Sequence, residues 1–202
     1  MAGLREQKKR RTKAAIMEAA ITLFGDRGYE NTTIAALAEA AGVGKGTIYS
    51  YFHSKNEILL AFCEEELAYI HEEIRQKLTP DASLQEKMLL LFMSEFSYVT
   101  KNKEFGRTLM REMIFPRELM VQHSRKIEDQ FIGMFVRLFQ QAQEEGQLRR
   151  DVEMIMLCGH FYGIYMMALS AWYSGRLQSE DDVRESLKMM FEQALTGLLP
   201  KS

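Results

Sequence analysis

The chain has 202 residues, 47% of them apolar, which is enough for a sizeable core and allows one large domain or a small one joined to a medium one. Two cysteines, Cys63 and Cys158, far apart in apolar surroundings, exclude a disulfide framework and point to a reducing cytoplasm. The net charge of −2 hides an asymmetry, because residues 1–55 carry nine Lys/Arg against five Asp/Glu and residues 56–202 carry seventeen against twenty-three, so a basic head precedes an acidic body.

The opening residues Arg5, Lys8, Lys9, Arg10, Arg11 and Lys13 read as a basic, partly disordered arm with no apolar signal-peptide core. A first helix is predicted over about 13–27, with Ile16, Ala19, Ala20, Leu23 and Phe24 on one stripe and Gly28 ending it. A second helix starts after Thr33, a good N-cap, and repeats the spacing through Ile34, Leu37, Ala38 and Ala41. Gly42 supplies a positive-φ turn, Val43 plugs it, and a short third helix runs from Gly44 or Lys45 to about Phe52.

Further along, Ser54-x-x-Glu57 and Ser83-x-x-Glu86 read as capping boxes opening a long fourth helix and a fifth. A sixth helix is predicted over about 103–114, where Pro116 stops it, and a seventh over about 117–145. Asp151 is expected to cap an eighth helix over about 152–173, and Ser179 a ninth over about 180–199. Only three prolines interrupt the chain, and no alternating strand segment is evident. The expected fold is all-α, about nine helices, with a head over 1–54 and a larger body over 55–202.

Residues 33–52, TIAALAEAAGVGKGTIYSYF, have the layout of a helix-turn-helix, whose second helix enters the DNA major groove. In the third helix Ile48 and Phe52 point inward, leaving Lys45, Thr47, Tyr49, Ser50 and Tyr51 outside. Residues 11–57 resemble the DNA-binding region of the TetR family of bacterial regulators. The resemblance is carried by Phe24, Gly28–Tyr29, Thr32–Thr33, Ile34, Ala38, Ala41–Gly42–Val43, the run Lys45 to Phe52, and Lys55-x-Glu57. Gly44 departs from the serine often found there and lacks one phosphate contact. The resemblance implies that Thr33 and Lys55 hold phosphates and that Tyr49 and Tyr51 pack on backbone and sugar. It implies that Lys45, Gly46 and Thr47 lie nearest the base edges, and Ser50 is expected among the DNA-contacting residues. Most such contacts position the protein and few read sequence.

The body is expected to dimerise and to sense a ligand. The run Met154 to Met167 is apolar nearly all round, so that helix must be covered on both sides. It reads as an interface helix and not a membrane span, and Gly159 and Gly163 allow close approach. The family implies a four-helix bundle made by the last two helices and their two-fold mates. Methionines and aromatic residues concentrated after residue 80 suit either a core or an adaptable apolar pocket. Polar residues on apolar stripes mark the expected pocket: Glu95 with Arg107 or Arg111 as partner, His123 and His160, joined by Phe92, Phe96, Phe131 and Tyr165.

The reading is a homodimeric, ligand-responsive repressor in the cytoplasm. A small apolar effector would release it from a double-stranded, pseudo-palindromic operator. No cofactor, metal or membrane is expected. His53, His71, His123 and His160 show no metal-ligand spacing, and no nucleophile–base set is assembled, which argues against an enzyme. A ligand-dependent activator and a protein-interaction adaptor are the alternatives.

Overall fold

The computed structural model describes the backbone of residues 2–114 and 121–197, with side chains described for 3–111 and 132–197. Among the described residues there are nine helices and no strand: α1 (Ala2–Arg27), α2 (Ile34–Ala40), α3 (Lys45–Tyr51), α4 (Lys55–Lys77), α5 (Leu84–Val99), α6 (Lys103–Ile114), α7 (Val121–Glu144), α8 (Met154–Tyr173) and α9 (Glu180–Thr196). The helices group into two compact units, residues 1–66 with 99–125 and residues 67–98 with 126–202.

In the first unit, Ile16, Ala20, Leu23 and Phe24 of α1 bury against a core that includes Leu37 and Ala38 of α2 and Ile48 of α3. Each large side chain so buried contributes roughly 1.5–3 kcal/mol. Gly42, at φ +65°, ends α2 in a two-bond cap: its N–H donates to Glu39 O at 3.1 Å and the Val43 N–H donates to Ala38 O at 2.9 Å. A side chain at that φ would be strained, so the turn between α2 and α3 depends on glycine. Thr32 is fully buried, and its hydroxyl lies within hydrogen-bonding distance of Leu23 O (3.1 Å) and Gly28 O (2.9 Å), tying the α1–α2 turn to α1. Phe105 of α6 stacks near Phe24 and meets Phe62 edge-on at 4.5 Å, so α6 belongs to this unit.

The second unit is centred on aromatic rings. Phe92 of α5 lies 4.6 Å from Phe135 of α7, 5.0 Å from Tyr165 of α8 and 5.2 Å from Phe191 of α9. Phe161 bridges Phe139 and Phe191. At these separations tilted ring pairs add to the stabilisation from burial alone. Ser83 and Glu86 form the expected capping box of α5, and Ser179 with Asp182 forms one at α9.

Two expectations at helix starts need correction. The arm is helical: α1 begins at Ala2, since Leu, Arg, Glu, Gln and Lys all favour helix and no breaker separates them from Lys13. Asp151 does not cap α8; its carboxylate receives the Arg149 guanidinium, and α8 starts after Glu153 with no side-chain cap. The expected stops at Pro116 and Pro200 lie outside the described residues.

Candidate nucleic-acid interface and effector cavity

The buried Ile48 anchors α3 to the head, and its other faces point outward. Lys45, Gly46, Tyr49 and Ser50 are exposed, and Thr47 and Tyr51 are half-buried. Tyr49 keeps 50% of its surface, which for a large aromatic group is unusual without a partner. The Ser50 hydroxyl donates to Thr47 O at 2.7 Å and retains acceptor capacity. Gly44 is the N-cap of α3 and offers no side-chain bond.

Thr33 caps α2: its Oγ1 accepts from Ala36 N–H at 3.1 Å, which leaves its hydroxyl proton to donate outward. Lys55 is more committed than the sequence suggested. Its ammonium donates to Tyr29 O at 2.7 Å and Glu30 O at 3.4 Å and lies 4.5 Å above the Tyr29 ring. Tyr29 in turn bonds Asn56 through its hydroxyl. Lys55 therefore ties the α1–α2 turn to the start of α4. The exposed side of α3 with Thr33 thus forms a polar, aromatic and cationic surface carrying no acidic side chain of its own.

The second unit holds a cavity of about 490 Å³ between α4, α5 and α7. Its apolar wall is Ile74, Leu78, Leu90, Leu91, Met134 and Leu138, and His71, Arg75, Lys87 and Arg137 bring cationic or basic groups to it. The Glu72 carboxylate holds Arg75 through two bonds and has its pKa lowered to about 2, chiefly by the Arg75 and Gln76 hydrogen bonds. Among the described residues neither Lys87 nor Arg137 has an ion pair.

The cavity is not lined by the residues expected from sequence to line a pocket. Phe92, Phe96 and Tyr165 are core rings packed on their neighbours and do not line this cavity. Glu95 is buried on α5, and Arg111 of α6 is exposed. His160 is exposed on α8, because the buried face of that helix runs through Leu157, Phe161, Tyr165 and Ala168 and leaves His160 on the other side. The side chains of His123 and Phe131 lie outside the described residues. Sequence reasoning missed His71, Lys87 and Arg137. The available signal was a cation breaking an apolar helical stripe, as Arg137 does between Met134 and Leu138.

The exposed side of α8 is apolar as expected: Ile155, Met156 and Met167 each keep about two thirds of their surface, and Met189 of α9 keeps 57%. A methyl group added at Gly159 or Gly163 would meet nothing within 4 Å. By length and composition α8 could cross a membrane; no membrane is required to explain it if a protein surface covers that face.

The family model for bacterial regulatory proteins of the tetR family matches residues 16–62, the stretch containing α2, α3 and the turn between them. The fatty acid metabolism regulator protein of Bacillus subtilis is 20% identical over 166 residues, covering 82% of this chain and 86% of that protein. The regulator TcmR of Streptomyces glaucescens is 28% identical, covering 98% and 88%. Among solved structures, FadR of Bacillus subtilis in complex with stearoyl-CoA superposes with a TM-score of 0.79 at 19% identity, covering 92% of this chain and 98% of that one. FadR of Thermus thermophilus, a repressor in complex with lauroyl-CoA, gives 0.68 at 23% identity, covering 94% and 96%. A helix-turn-helix matched by the family model and likeness along the chain to regulators lead to one assignment: residues 16–62 are a DNA-binding domain of the tetR type, and the chain is a ligand-responsive, DNA-binding transcriptional regulator.

Proposed function

We propose that the protein is a homodimeric cytoplasmic repressor released from a pseudo-palindromic operator by an acyl thioester of coenzyme A. The observation that carries the effector class is the cavity, an apolar channel wall with Lys87, Arg137 and His71 at its side. An apolar chain ending in an anionic group satisfies both halves of that lining. A purely apolar compound would leave the cations unanswered, and a purely polar one would forfeit the apolar wall. The likeness to regulators crystallised with stearoyl-CoA and lauroyl-CoA supports the same class.

On this reading residues 1–54 bind DNA and the remainder senses and dimerises. Thr47, Lys45 and Gly46 face base edges, while Thr33, Tyr49, Ser50, Tyr51 and Lys55 hold the backbone. The exposed faces of α8 and α9 meet a second copy, setting two α3 helices at successive major grooves about 34–36 Å apart. α4 contributes residues to both compact units and carries the effector's state to the head. The effector need only favour the state that does not match the operator, and about 1–3 kcal/mol of coupling suffices.

The test is release of the protein from a duplex selected out of a random pool, with acyl-CoAs of graded chain length, free CoA and free fatty acids compared. Long-chain acyl-CoA is expected to release it, free CoA is not, and Arg137→Ala with Lys87→Ala is expected to weaken the response to the thioester. Release by uncharged apolar compounds alone would reject the effector class and leave the regulator intact.

A further inference from the structure

α1 is longer than the head needs. Its first buried residue is Ile16, and every residue from Gly3 to Arg11 is exposed. About 16 Å of helix, from Arg5 to Ile16 at about 1.5 Å per residue, therefore stands clear of the first unit's core. Five of the nine residues 3–11 are Lys or Arg, and Glu6 is the one acid among them.

The charges are arranged by face. Arg5, Lys9, Thr12, Ile16, Ala19 and Leu23 follow one another at helical spacing, so they share one side of α1. From Ile16 onward that side is buried in the head; before it, the same side carries Arg5, Lys9 and, one step round, Lys8. Glu6 and Arg10 lie off this face and approach each other at 3.8 Å, so the acid neutralises a cation that is not part of the row. The Thr12 hydroxyl donates back to Lys8 O at 3.1 Å. Like charges at Arg5–Lys8, Arg5–Lys9 and Lys8–Arg11 are three or four residues apart and repel along the helix, and the first turn has no acid. A helix of strong formers carrying an unfavourable charge row is completed by a polyanion. With Leu4 as its only large apolar side chain, the segment lacks the stripe that a partner helix or a lipid surface needs.

We propose that the N-terminal extension of α1 is a second DNA-contacting element, in which Arg5, Lys8 and Lys9 lie along phosphates flanking the half-site read by α3. This rests on the DNA-binding reading and adds to it an element outside the helix-turn-helix. The contacts carry no sequence information; they raise affinity for any duplex and make it more salt-dependent, since each phosphate contact releases counterions.

The test compares the full chain with the triple variant Arg5→Ala, Lys8→Ala, Lys9→Ala and with Arg10→Ala, on a selected operator and on a random-sequence duplex across a salt series. The triple variant is expected to lower the slope of log affinity against log salt by about 5.4, at about 0.9 for each of three contacts in each protomer of the dimer, equally on both duplexes. Its preference for the operator is expected to stay the same, and Arg10→Ala is expected to change the slope little. All four residues are exposed, so folding is not at stake. An unchanged slope in the triple variant overturns the proposal, and an equal effect of Arg10→Ala overturns the assignment to one face. A wild-type chain that ignores duplex DNA altogether would instead reject the DNA-binding reading, so the two failures are distinguishable.

Discussion

Single residues decide whether the surfaces described above can form. Gly25 sits inside α1 where a helix would ordinarily favour alanine, yet a methyl group there would come within 3.1 Å of the Phe105 backbone nitrogen and 3.3 Å of Asn102 Oδ1. Asn102 Oδ1 accepts from Phe105 N–H and caps α6, so Gly25 makes room for that cap. Nothing local in the sequence announces this, because the constraint comes from a helix about eighty residues away. Gly42 was legible for the opposite reason: its requirement is a local backbone turn between two short helices. Glu66 shows burial acting on charge. It keeps some contact with the surface, yet enough protein surrounds its carboxyl that desolvation pushes its pKa up to about 8. Between an unfolded value near 4.5 and about 8 the folded chain holds a proton that the unfolded chain releases, so stability falls as pH rises across that window. Below it the residue has no effect. Glu66→Gln is expected to flatten the decline in chemical-denaturation midpoints between pH 5 and about 8, and equal declines in the two proteins would contradict the assignment.

Helices were the most readable level, since periodicity and caps are local. α2, α3 and α5 fall close to their expected starts because each has a clear local signal, Thr33, Gly44 and Ser83 respectively. α1 was read too short because a basic run resembles a solvated tail in composition, although its residues are good helix formers. α8 is apolar nearly all round, so periodicity gives little contrast and does not tell which side His160 takes. The expected pocket residues Phe92, Phe96 and Tyr165 close on one another and their neighbours as core, and the cavity described above takes mixed stripes instead. The exposed face of α8 makes a sharp prediction. Gly163 is in a helix interior with open space around it in the single chain, so a larger side chain there costs that chain nothing. Gly163→Leu is expected to keep the melting behaviour of the isolated chain and to weaken dimerisation by tenfold or more in sedimentation equilibrium. An unaffected dimer would move the interface away from α8.

At the scale of the whole molecule, charge and apolarity are divided by task. Cations gather on α1, joined by Lys45 on α3, where phosphate is to be met, while the acidic body carries uncovered apolar surface on α8 and α9. Affinity for DNA then comes largely from phosphate contacts, and choice of sequence from the few side chains at the front of α3. The separation was visible in the sequence from the +4 and −6 balance of the two parts; the effector class was not, because it depends on which helical stripes face a common space. The central claim, that α3 reads a duplex, is tested most directly by the ratio of affinities for a selected operator and a random duplex, measured for the wild-type chain and for Lys45→Ala and Thr47→Ala. The account predicts that Thr47→Ala lowers this ratio by about fivefold or more, as loss of a base contact should, while leaving random-duplex affinity nearly unchanged. A full wild-type preference in both variants would contradict it.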